Sequence, residues 1–183
     1  MFLPISPKKI GPKWSNMWKE FGQGCRIGVS SGVKWGTVAP ITGFSGEYQY
    51  SIDAKGRLAL PVKFRDALGP RFFIARGLDT CLFVYPSEEW ARVLEKINSM
   101  PLNQKDARAY ARYFLSGASE VEPDRQGRIN LPSNLREYAG LTKDVYVLGV
   151  GTRLEIWDKA LWETTKAEIA KSFTSIAEGM SGI

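Results

Sequence analysis

The chain has 183 residues, 44% of them apolar and 24% charged, with 25 Lys plus Arg against 19 Asp plus Glu and no histidine. Without histidine, Ser-His-Asp and Cys-His catalysis and every histidine-containing metal site are excluded. The only cysteines, Cys25 and Cys81, are too few for a Cys-based metal site or a disulfide framework, which points to a reduced intracellular chain.

Residues 1–42 carry Lys8, Lys9, Lys13, Lys19, Arg26 and Lys34 against Glu20 alone, a balance of +5. Residues 43–183 keep 19 Lys plus Arg against 18 Asp plus Glu, so the body of the chain holds +1 of the total of +6. The first segment is rich in Gly, Pro, Ser and Lys and has no sustained periodicity. It is read as an unstructured basic extension, translated from an upstream start. The competing reading is a genuine basic tail that adds non-specific nucleic-acid affinity. No apolar run approaches about 18 residues and no signal-peptide core opens the chain, so neither a membrane span nor secretion is expected.

From Glu47 onward the pattern becomes regular. Tyr48, Tyr50 and Ile52 alternate with Glu47, Gln49 and Ser51, a half-buried strand. Asp53 and Gly56 mark a type I turn, in which the Asp side chain accepts from backbone N–H groups. Beyond it Leu58 and Leu60 share one face, so Arg57 and Ala59 project from the other. Pro61 opens a short helix, and strands follow near 72–76 and 82–85. Ser87 reads as the N-cap of a helix to Asn98, with Glu88 and Glu89 in its first turn. Pro101 breaks that helix. In the next one Asn103 and Asp106 are spaced as N-cap and N3, and Ala107, Tyr110, Ala111 and Phe114 form the apolar stripe. Gly117 ends this linker.

The chain then repeats itself. Asp53-Ala-Lys-Gly-Arg57-Leu-Ala-Leu-Pro61 returns 71 residues later as Asp124-Arg-Gln-Gly-Arg128-Ile-Asn-Leu-Pro132. Arg65-Asp66 returns as Arg136-Glu137, and Gly69 as Gly140. After a one-residue slip, Leu82 to Trp90 returns as Leu154 to Trp162. Two copies make a tandem domain rather than a solenoid. A terminal helix from Asp158 carries Leu161, Trp162, Ile169, Phe173 and Ile176 toward a core or a partner. The expected divisions are the extension (1–42), a first repeat domain (47–90), a helical linker (91–117), a second repeat domain (118–162) and a terminal helix (163–183).

A turn bearing Lys55 or Arg125, with Arg57 or Arg128 outward just beyond it, presents cations at one end of a sheet. Lys55, Arg57, Arg125 and Arg128 are therefore candidate DNA contacts. The bland reading pairs Arg57 and Arg128 with their own turn aspartates, an exposed interaction worth under about 1 kcal/mol. Recurrence in both copies favours function. Asp53 and Asp124 read as turn caps, and Gly56 and Gly127 as residues chosen for backbone geometry. Arg65 and Arg136 lie one turn into the short helices, where they either buttress the turn or acidic neighbours or contact a ligand. Trp90, Trp157 and Trp162 read as core or interface residues. No cofactor, metal or catalytic residue is expected, and an acid–base enzyme built on the duplicated Asp would lack an acid–base partner.

On these residues the chain resembles the MraZ family of bacterial transcriptional regulators, marked by two D-x-x-x-R motifs, each in a SpoVT–AbrB-type swapped-hairpin domain. The match runs from about Gly46 to the C-terminal helix, and residues 1–42 depart from the family pattern. The resemblance implies an α+β fold: two tandem swapped-hairpin, AbrB-like β units forming an intrachain pseudo-dimer, with linker helices and a C-terminal helix. It also implies a non-enzymatic, DNA-binding repressor of the cytoplasm and nucleoid, assembled as a ring-shaped homo-oligomer. Its partner would be double-stranded DNA, at direct G-rich repeats upstream of the division and cell-wall gene cluster and its own promoter. The family's DNA-contacting arginine maps onto Arg57 and Arg128, with Lys55 and Arg125 beside them. In that light Trp35-Gly36, necessarily encoded by TGGGG, reads as operator DNA translated in frame. A ring-forming protein-interaction scaffold without specific DNA binding is the alternative.

Overall fold

The computed structural model describes residues 43–179; the basic extension expected at 1–42 and residues 180–183 lie outside the described residues. In chain order the elements are β1 (Phe44–Ser51), β2 (Arg57–Ala59), α1 (Val62–Leu68), β3 (Phe72–Arg76), β4 (Leu82–Pro86), α2 (Ser87–Asn98), α3 (Lys105–Ser116), β5 (Ser119–Val121), β6 (Arg128–Asn130), α4 (Ser133–Tyr138), β7 (Asp144–Gly151), β8 (Arg153–Asp158) and α5 (Lys159–Gly179).

Each copy lends its first strand to the other. A six-stranded antiparallel sheet runs in the order β1-β7-β8-β4-β3-β5, while β2 pairs with β6 in a separate two-stranded ribbon. Thus β1 of the first copy lies on β7 of the second, Tyr48 opposite Val147, and β5 of the second lies on β3 of the first, Ser119 opposite Ile74. The fold is the α+β pseudo-dimer of swapped hairpins that the family resemblance implies. Its pseudo-twofold axis meets the register twice. Leu58 faces its counterpart Ile129 in the ribbon, and Phe83 faces its counterpart Glu155 between β4 and β8.

Pairing also resolves the slip between the copies. The offset is 71 at Gly69 and Gly140, becomes 73 at Phe72 and Val145, which hold equivalent places opposite Val121 and Tyr50, and settles at 72 at Leu82 and Leu154. The second copy gains two residues before β7 and loses one in the β7–β8 turn.

The sheet is covered on both faces, which explains why β4 reads as the unbroken apolar run Leu82-Phe83-Val84-Tyr85. The two-residue period sends Leu82 and Val84 into a core with Leu58, Ile129, Phe64 and Leu135, beneath the ribbon and the short helices α1 and α4. Phe83 and Tyr85 enter the opposite core with Trp90, Ile97, Phe114 and Trp157, under α2 and α3. Leu58 and Ile129 are fully buried, a gain of about 1.5–3 kcal/mol each. The ribbon is thereby clamped to the body.

Two helix starts differ from the sequence reading. Ser87 is the first helical residue rather than the cap: Pro86 precedes it, and the Ser87 hydroxyl donates to the Arg71 carbonyl at 2.9 Å. Asn103 is not an N-cap either, because α3 starts at Lys105 after Gln104, whose N–H donates to the Pro101 carbonyl at 3.1 Å. Asp158 does cap α5, accepting from the Ala160 N–H at 3.0 Å and from the Thr142 hydroxyl at 2.7 Å. Along α5, Leu161 and Trp162 pack into the second core, whereas Ile169, Phe173 and Ile176 remain exposed. Among the described residues no helix is long and apolar enough to cross a membrane.

Candidate nucleic-acid interface

The two turns are built alike. In the first, the Gly56 N–H donates to the Asp53 carbonyl at 2.9 Å, and the Asp53 N–H donates to the Arg57 carbonyl at 2.9 Å. Asp53 Oδ1 accepts from the backbone N–H groups of Lys55 and Arg57, both at 2.9 Å. In the second turn Asp124 Oδ1 accepts from Gln126 and Arg128 in the same way, both at 2.9 Å. Gly56 and Gly127 have φ of +76° and +73°, the left-handed backbone that a type I turn followed by a bulge requires and that a β-branched residue resists. Lys55 and Arg125 are exposed on the turns.

Arg57 and Arg128 do not reach freely into solvent. Arg57 donates to Asp53 Oδ2 through Nε at 2.7 Å and Nη2 at 2.6 Å. Arg128 donates to Asp124 Oδ2 through Nε at 2.9 Å and Nη2 at 2.7 Å. These hydrogen bonds, with the backbone N–H groups of the turn, hold both carboxyls down at about 2, against a smaller opposing cost of burial. The pairing that the bland reading anticipated is therefore present in both copies. It also orients each guanidinium, and neither Nη1 makes a hydrogen bond among the described residues. A cation held in one orientation loses less conformational freedom when a ligand arrives.

The ribbon brings the two arginines together. Its register sets Arg57 opposite Asn130 and Ala59 opposite Arg128, so both arginines lie on the face opposite buried Leu58 and Ile129. They are diagonal neighbours, at a separation of roughly 7–8 Å between backbones. One surface thus carries a cation from each repeat.

Arg65 and Arg136 have a placement that sequence reasoning missed. Arg136 of α4 lies against Gly56 in the other copy's turn, and Arg65 of α1 lies against Gly127. Their recurrence at one fixed distance after each turn motif signals a shared role, but not which turn each of them serves. No cluster of metal-binding side chains occurs among the described residues. A cleft of about 290 Å³ beside β1 and α1 is lined by Gly43, Phe44, Ser45, Lys63, Phe64 and Ala67, with Lys63 its only ionisable side chain.

The family model described as "MraZ protein, putative antitoxin-like" matches residues 44–113 and again 114–182. The protein named transcriptional regulator MraZ of Acetivibrio thermocellus is 55% identical over 138 residues, which are 75% of this chain and 96% of that one. Those of Desulforamulus reducens and Moorella thermoacetica are 54% and 53% identical over 137 residues, again 75% of this chain and 96% of each relative. With both repeats matched and these relatives covered almost end to end, the chain belongs to the MraZ family.

Proposed function

We propose that this protein is a sequence-specific DNA-binding repressor of the division and cell-wall gene cluster, its own promoter included, and that it binds direct G-rich repeats as a ring-shaped homo-oligomer. The coarser statement, a transcriptional regulator and not an enzyme, follows from the family, whose curated members carry that name. Acting on the chromosome places it in the cytoplasm at the nucleoid.

The observation that carries the DNA reading is the ribbon: Arg57 and Arg128 on one face, each oriented by its turn aspartate, with Lys55 and Arg125 exposed beside them. A two-stranded ribbon fits a DNA major groove about 12 Å wide, and arginine reads guanine through its O6 and N7 acceptors. With a body charge of +1, one subunit has little long-range attraction for DNA. Several such ribbons meeting several repeats in register bind through effective concentration, which accounts for a repeated operator. The exposed face of Ile169, Phe173 and Ile176 on α5 offers apolar surface for assembly. It equally suits a scaffold that forms rings without reading DNA.

A mobility-shift assay separates the two readings, using a fragment of the protein's own promoter that contains the G-rich repeats and a scrambled fragment of equal length. A repressor retains the promoter fragment preferentially and loses it as salt rises. Equal retention of both fragments, or none, means a scaffold.

A further inference from the structure

The cations at the hairpin ends sort across the repeats. A Cβ built on Gly56 would lie 3.0 Å from the Arg136 guanidinium carbon and 3.1 Å from its Nε and Nη2. One built on Gly127 would overlap Arg65 Nη1. Both glycines therefore leave room for an arginine of the other copy, beyond serving the turn. The backbone follows the same exchange: the Leu131 N–H donates to the Gly56 carbonyl at 3.0 Å, and the Leu60 N–H to the Gly127 carbonyl at 3.3 Å.

Charge separates these two arginines from Arg57 and Arg128. Each of the latter is neutralised by its turn aspartate, so those pairs add no net charge. Among the described residues Lys55, Arg65, Arg125 and Arg136 form no salt bridge. The net positive charge of each hairpin end thus comes from one turn cation and one arginine of the other repeat, Lys55 with Arg136 and Arg125 with Arg65. Both arginines are half-buried. Arg136 Nε donates to the Leu131 carbonyl at 3.2 Å, but Arg65 Nε is buried with no acceptor. A half-buried guanidinium that has no counter-charge is open to pairing with an arriving anion.

We propose that Arg65 and Arg136 are further DNA-phosphate contacts, each serving the turn of the other repeat, so that Arg65 acts with Arg125 and Arg136 acts with Lys55. This rests on the DNA-binding reading above. Each half-site is then a composite of both copies.

The test is salt-dependent binding of the full-length oligomer to the promoter fragment by wild type, Arg65→Gln and Arg136→Gln, with melting and oligomeric state checked. Each variant is expected to bind roughly five- to tenfold more weakly and to lower the salt slope by about 0.9 for each phosphate no longer neutralised. Adding Arg125→Gln to Arg65→Gln should cost less than the two separate effects together, whereas adding Lys55→Gln should cost their full sum. If wild type fails to discriminate the promoter fragment, the DNA reading itself falls. If wild type discriminates but the folded variants keep its affinity and slope, Arg65 and Arg136 only brace the turns and the proposal is overturned. Should Arg65→Gln not fold, Arg65→Met, which keeps the aliphatic stem over Gly127, is judged by the same two results.

Discussion

Arg57 and Arg128 lie diagonally across the β2–β6 ribbon on one face, though they stand 71 residues apart in the chain. Neither repeat owns that surface. Leu58 and Ile129 bury the ribbon's other face where the pseudo-twofold axis crosses it, so the packing that joins the copies also aims the two arginines outward.

Strand exchange has a consequence for the separated halves. Since β1 pairs with β7 and β5 with β3, residues 43–113 and 114–179 each lose a strand partner when made alone. Each half is expected to be unfolded at low concentration and to fold only by pairing with a second chain. Circular dichroism over a dilution series checks this, and a half that stays folded as a monomer would contradict the exchanged pairing.

Gly56→Val and Gly127→Val should each destabilise the protein more than removal of Arg57 or Arg128 does. The left-handed backbone costs a non-glycine residue about 1–3 kcal/mol, and the new side chain also displaces Arg136 or Arg65. Thermal melting compares the variants. Wild-type melting in both valine variants would refute the turn geometry.

The turn aspartates set an acid limit. Their folded carboxyls titrate at about 2, below the ordinary 3.8, chiefly because of the arginine hydrogen bonds. Stability from these groups is therefore complete above about 3.8 and is lost as pH falls through 2. Carboxyl titration by NMR should show both aspartates still charged at pH 3, and an ordinary carboxylate midpoint at either would mean that its arginine is free. Asp53→Asn should narrow the preference for promoter over scrambled DNA, because the added positive charge raises non-specific binding while Arg57 loses its fixed orientation.

Local chemistry was the most legible part of the sequence. The Asp and Gly spacing specified the turns, alternation specified the faces of β1 and β2, and the duplicated motif specified a tandem domain, with only the family resemblance pointing to a pseudo-dimer. Ser87 and Asn103 misled because both have the composition of caps, while the Ser87 hydroxyl is taken by the Arg71 carbonyl and the Pro101–Gln104 turn carries the chain past Asn103. The service of Arg65 and Arg136 to opposite turns could not be read from spacing, because it depends on which copy's strand lies on which copy's sheet. In the sequence, pairing and outward presentation of Arg57 and Arg128 are rival readings, whereas the side-chain geometry shows that they occur together.

The most direct measurement is the salt dependence of promoter binding by wild type and by the Arg57→Ala, Arg128→Ala double variant. Both positions are on the outer ribbon face, so each change should alter stability by under about 1 kcal/mol and leave the oligomer intact. The double variant is expected to lose promoter preference and, because it leaves Asp53 and Asp124 unpaired, to lower the salt slope as well. Wild-type affinity, preference and slope in a folded double variant would show that the ribbon is not the DNA-binding surface.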